Sequence, residues 1–175
     1  KRHDFSDKIF MGHKIKGTGE AEGEQVLDIL AKHPATAKYL SYKLAQYFVS
    51  DRPPQSLVDS LSQRYLETDG NIKAVLDTLF HSSEFRDPQY FGKKFKTPYQ
   101  YIISVIRAGD LEVTNAVIVN SLLKQMSMGI YDCPTPNGYA NTEEFWLNPD
   151  ALLRRLTFAS IMSRKKIGFL DSSAP

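Results

Sequence analysis

The chain has 175 residues, of which 42% are hydrophobic and 24% charged, and its net charge is +2. These proportions are those of a globular protein and exclude a chain that is disordered throughout. The small charge disfavours nucleic-acid binding, which usually gathers Lys and Arg on one face. A single cysteine, Cys133, excludes an intramolecular disulfide and a cysteine-based zinc site. No apolar run reaches the roughly 18 residues of a membrane span.

The first 21 residues predict an irregular lead-in. They are mostly polar, and three glycines, Gly12, Gly17 and Gly19, interrupt them. The chain opens on Lys1 rather than Met, so we expect this lead-in to belong to a larger upstream region.

Residues 22–168 carry apolar side chains at helical spacing and predict a helical domain. A short helix over Ala21–Lys32 ends at His33, because a residue before proline avoids the helical region. Pro34 then begins a second helix, since proline fits the first helical position. The apolar stripe of this second helix predicts that it is central and well buried; its members are Ala37, Leu40, Leu44 and Phe48.

Capping residues punctuate the rest of the chain. Asp69-Gly70 closes a third helix and Asn71 opens a fourth, while Thr97-Pro98 and Thr114 open the next two. Asn148-Pro149-Asp150 is a strong start for the last helix. We therefore predict an all-α fold, a single compact domain of about seven helices, with a long ordered loop before the last helix. Residues 169–175 are expected to form a mobile tail.

The loop, residues 130–148, is the most unusual segment because it is rich in aromatic residues yet broken by proline and glycine. We expect Trp146 to pack on the helical core and Asn137-Gly138-Tyr139 to form an exposed turn. These four residues and Arg154 in the last helix are candidate partner- or ligand-binding residues, since ordered loops and exposed tyrosines often serve recognition. The alternatives are a purely structural loop and an Arg154 that only forms ion pairs.

No pattern in the sequence identifies a catalytic residue or a cofactor. The chain lacks a nucleophile elbow and a phosphate-binding loop. Its four histidines are scattered, so no metal site is predicted. His3, Asp4 and His13 are weak candidates for one, with help from a glutamate of the segment that follows. Cys133 has no base near it in the sequence, which favours a structural role.

Several short motifs follow one another along the chain: Arg2-His3-Asp4 with Lys8 and Gly12, residues 33–37, Lys43-Leu44, residues 48–54, residues 83–85, residues 94–98, residues 134–139 and residues 146–155. In this order they resemble the large bacterial family called domain of unknown function 1800. The proline loop matches with one departure, because many relatives have Pro-Pro-x-Val-x-Gly-Trp where this chain has Pro-Thr-Pro-Asn-Gly-Tyr.

The resemblance implies that the chain is the C-terminal part of a longer protein. It also implies export to the cell envelope or beyond, and a protein partner, because many members are exported and encoded beside another exported protein. We therefore expect a helical interaction domain. The alternative is part of a hydrolase-like or metal-dependent enzyme whose remaining active-site residues lie in the N-terminal portion. The sequence leaves the oligomeric state open.

Overall fold

The computed structural model describes residues 3–163 and the backbone of residues 170–171. Seven helices of ten or more residues lie in these ranges, which confirms the mostly helical fold. The predicted mobile tail lies outside the described residues, apart from that backbone. In chain order the helices are α1 (Glu20–Ala31), α2 (Pro34–Phe48), α3 (Gln55–Glu67), α4 (Ile72–His81), the four-residue α5 (Ser83–Arg86), α6 (Pro98–Ala108), α7 (Ala116–Gln125), the four-residue α8 (Glu143–Trp146) and α9 (Pro149–Ser163).

The lead-in contains a β-hairpin and is therefore less irregular than the sequence predicts. Strand β1 (Lys8–Phe10) pairs antiparallel with β2 (His13–Ile15). The two residues between them, Met11 and Gly12, have φ angles of 50° and 84°. Two positive φ angles are what the tightest hairpin turns require, and glycine supplies the second at little cost. A second antiparallel pair joins β3 (Glu112–Val113) to β4 (Leu170–Asp171).

Side-chain caps start the helices largely where the sequence predicts. The His33 ring nitrogen accepts from the backbone N–H of Ala35 at 3.1 Å, directly before Pro34. Thr97 forms a reciprocal capping box with Gln100. The predicted start of α7 is one residue early, because Asn115 rather than Thr114 caps it.

Contacts divide the chain into two compact units, residues 1–91 and 92–175. The core of the first unit lies among α2, α3 and α4. On α2 the fully buried side chains are small, Ala37, Ser41 and Ala45, whereas Leu44 is only half-buried. Small residues let α3 approach α2 closely, so the large buried side chains stand on the neighbouring helices. Of the apolar stripe that was predicted to be well buried, Ala37 is fully buried, Leu40 and Leu44 are half-buried, and Phe48 is exposed.

The core of the second unit is built by α6, α7 and α9. Its buried hydrophobic residues lie at helical spacing on these three helices, and one more is the residue that follows α7. They are Ile102, Ile106, Val119, Leu123, Met126 and Phe158.

Candidate functional site

Residues 130–148 form a loop that several hydrogen bonds hold in place within the second unit. The Ile130 amide donates to the Asn120 side chain at 2.9 Å, and Lys94 Nζ donates to the Asn141 carbonyl at 3.1 Å. The Tyr139 hydroxyl donates to the Gly129 carbonyl at 2.9 Å. These bonds satisfy backbone groups along the loop, so it holds one conformation without strands or long helices.

Trp146 is the centre of this loop. It is 3% exposed, and its indole N–H donates to the Ala140 carbonyl at 2.6 Å. The Phe145 ring meets it edge to face at a centroid distance of 4.8 Å, and the Tyr139 ring lies at 6.1 Å.

The predicted turn is exposed at Asn137 and Gly138, but the expectation that Tyr139 is exposed is wrong. Tyr139 is half-buried because its ring lies beside Trp146 and its hydroxyl is bonded. Burial, with added repulsion from Cys133 and Asp132, raises the pKa of the Tyr139 phenol. Tyr139 therefore helps to hold the loop in its conformation.

Tyr131 is the exposed tyrosine of the loop, and the sequence alone did not single it out. Its side chain is fully exposed, and its backbone has a φ of 61°. A tyrosine in the left-handed region is strained by about 1–3 kcal/mol and persists only where its neighbours impose it. The hydrogen bond of the Ile130 amide and the ion pair between Asp132 and Lys124 lie on either side of Tyr131 and impose this conformation. No sequence pattern distinguishes Tyr131 from Tyr139.

Arg154 and Arg155 have different surroundings. Arg154 is exposed and pairs with Asp150 one turn earlier, with Nε 2.7 Å from the carboxylate. Asp150 raises the pKa of Arg154. The Arg155 guanidinium lies 4.4 Å from the Phe95 ring centroid and donates to the Lys96 carbonyl at 2.7 Å. Burial lowers the pKa of Arg155. Arg154 is thus the accessible cation of the two.

The outward face of α9 is apolar, which the sequence analysis also missed. Leu152, Leu153 and Leu156 are 47%, 63% and 60% exposed. They share this face with Thr157 and Ser160, and it carries no charged residue over two turns. The helix is apolar on its inner side as well, where Phe158 is 3% exposed. Helical spacing alone could not show which side faces inward.

The three weak metal candidates do not gather. His3 lies 2.8 Å from a Glu22 carboxylate oxygen, while Asp4 accepts from the backbone and hydroxyl of Ser6. His13 is exposed on β2. Within the described part of the chain, no three histidine, cysteine or acidic side chains lie close enough to hold a metal ion.

Cys133 is half-exposed, and its sulfur lies 3.7 Å from the Thr135 hydroxyl. That contact is with a neutral group, which gives the thiol no base to activate it.

In the part of the chain that the structure describes, a helical fold is combined with an ordered, partly exposed loop and a helix face without charged residues. The chain belongs to the family described as protein of unknown function (DUF1800), which it matches over residues 1–174. A search of curated proteins gave no match, and neither did a search of solved structures. Among the described helices, none is both long and apolar enough to cross a membrane.

Proposed function

We propose that the chain is a helical interaction domain of a larger, exported bacterial protein and that it binds a protein partner. The binding surface comprises the outward face of α9, Arg154 at its edge, and the exposed part of the loop at residues 130–148. The location at the cell envelope or outside the cell follows the family resemblance and needs its own test.

The observation that carries the proposal is the outward face of α9. A solvated helix face normally carries charged residues. Here it presents Leu152, Leu153 and Leu156 with hydroxyl residues between them. Contiguous exposed apolar surface of this kind marks interaction sites in folded proteins. The partner that fits is a protein with an apolar, uncharged patch, to which Arg154 adds a polar contact at the rim.

The loop supports the same interpretation. Hydrogen bonds from Ile130, Tyr139 and Trp146 keep the loop in a fixed conformation. In this conformation Tyr131, Asn137 and Gly138 are exposed. A preorganised surface loses less conformational entropy on binding than a flexible one. Tyrosine is also enriched among the residues that dominate binding energy, and the exposed tyrosine of this loop is Tyr131 rather than Tyr139.

Site-specific cross-linking in the producing cell tests this proposal. A photoreactive amino acid is placed at position 153 or 137 of the full-length protein. The control position is Leu27, which is 66% exposed on α1. We expect one protein to cross-link at positions 153 and 137 and not at position 27. Equal cross-linking at all three positions would contradict the proposal.

Binding of the purified partner then measures the contribution of the face. Leu153→Lys should weaken binding at least tenfold, because it places a charge in an apolar contact. Leu27→Lys should leave binding unchanged, and neither change should alter the melting temperature greatly. Unaltered affinity for Leu153→Lys would show that the partner binds elsewhere.

Cell fractionation tests the location separately. The proposal expects the full-length protein in the envelope or extracellular fraction. Recovery in the cytoplasmic fraction alone would reject export without bearing on the binding surface.

A further inference from the structure

The lead-in is joined to the start of α1 through one carboxylate. Glu22 Oε1 accepts from the Gly19 amide at 2.8 Å and lies 2.8 Å from His3 Nε2. Its second oxygen accepts from Lys8 Nζ, also at 2.8 Å. The Gly19 contact caps the start of α1, because Glu22 is the third residue of that helix. His3 and Lys8 belong to the lead-in, so this one side chain of α1 holds the lead-in at two points.

Lys8 extends this attachment into the lead-in. Its ammonium group also donates to the backbone carbonyls of Asp4 and Ser6, the latter at 2.9 Å. The Glu22 side chain is only 8% exposed. A buried carboxylate is stable when charged donors satisfy it, and such bonds are stronger than neutral ones.

Few apolar residues contribute to the same attachment. Ile15 is 3% exposed and Phe10 is half-buried, but Phe5, Ile9 and Met11 are 67%, 81% and 53% exposed. The buried core of the first unit consists of residues from α2, α3, α4 and the residue after α2, and the lead-in adds none to it. A segment with few buried apolar contacts opens at a lower free energy than the core.

We propose that Glu22 is an ionic latch, which holds residues 3–19 against α1 as a segment that can open separately from the helices. When the latch loses its charge, the lead-in detaches while α2, α3 and α4 stay folded. Detachment removes the wall that Phe10 and Ile15 give to an open cleft of about 520 Å³ and exposes its other wall at Val26. Opening of the latch thus uncovers this side of α1.

Hydrogen exchange of the complete chain, followed by mass spectrometry, tests the latch. Glu22→Gln keeps the shape of the side chain but removes its charge, and Lys8→Met removes its main cation. The matched control is Glu24→Gln, an exposed glutamate on the same helix. We expect amides of residues 8–19 to exchange at least tenfold faster in the first two variants and unchanged in the control. Amides of α2, α3 and α4 should stay within about twofold of the parent.

Two results would overturn the proposal. Unaltered exchange of residues 8–19 in Glu22→Gln and Lys8→Met would show that Ile15 and the hairpin suffice. Faster exchange spread equally over α3 and α4, or a Glu22→Gln chain that does not fold, would show that Glu22 supports the whole unit rather than a separate segment.

Discussion

Residues 3–19 and residues 130–148 are two long stretches in which long helices are absent, yet each holds a defined conformation by different means. The first depends on Glu22, a carboxylate that gathers an amide, an ammonium and an imidazole. The second depends on Trp146, a buried indole beside the rings of Phe145 and Tyr139. The lead-in is therefore sensitive to charge, and the loop is sensitive to lost packing.

The largest effect is expected for Trp146→Ala. Removing a buried tryptophan costs about 3–5 kcal/mol in typical cores, and it also leaves the Ala140 carbonyl without its donor. Chemical denaturation of the whole chain should show this loss of stability. Residues 130–148 should also lose their protection from hydrogen exchange.

Phe145→Ala is the control for this change, because Phe145 is adjacent and 57% exposed. It should cost much less than Trp146→Ala. Similar losses for the two variants would mean that the indole is not the centre of the loop.

A smaller effect, confined to the lead-in, is expected for Gly17→Ala. A methyl group there would lie 1.8 Å from the Phe5 carbonyl oxygen, so the backbone must move. Forced overpacking usually costs about 1–3 kcal/mol. Gly23→Ala is the opposite case, because a methyl group at that helical position meets nothing within 4 Å.

Alanine at position 23 should instead stabilise α1 by about 0.5–1 kcal/mol, since glycine is a poor helix former. Hydrogen exchange of residues 8–19 and thermal unfolding would separate the two glycines. If both substitutions destabilise equally, the close approach of Gly17 to Phe5 is not what holds the lead-in.

Local signals in the sequence are enough to predict most of the helices. Proline at the first helical position, as at Pro34 and Pro98, acts within one turn, and so do the caps His33 and Thr97. Burial of Trp146 was also predictable, because so much apolar area is costly to leave in water.

Contacts between distant residues could not be predicted in the same way. Glu22 binds groups at positions 3, 8 and 19, and Tyr139 bonds ten residues back to Gly129. The Gly19 contact has the fixed spacing of a capping box, but the bonds to positions 3 and 8 and the bond of Tyr139 have none. In the sequence, Glu22 therefore resembles any glutamate of a first helical turn, and Tyr139 resembles an exposed turn residue. The exposure of Tyr131 and of the leucines of α9 could not be predicted for the same reason.

A pH titration followed by amide NMR tests most directly the claim that the two segments are held by different forces. Hydrogen bonds from Lys8, then from His3 and the Gly19 amide, lower the pKa of Glu22 from 4.5 to about 2. A carboxylate with a depressed pKa stabilises the fold fully above its unfolded value of about 4.5, and this contribution is lost as the pH falls towards 2. We predict that resonances of residues 3–19 move to unfolded positions within that window, before those of residues 130–148. Simultaneous loss of both segments, or a lead-in that persists below pH 2, would contradict the account.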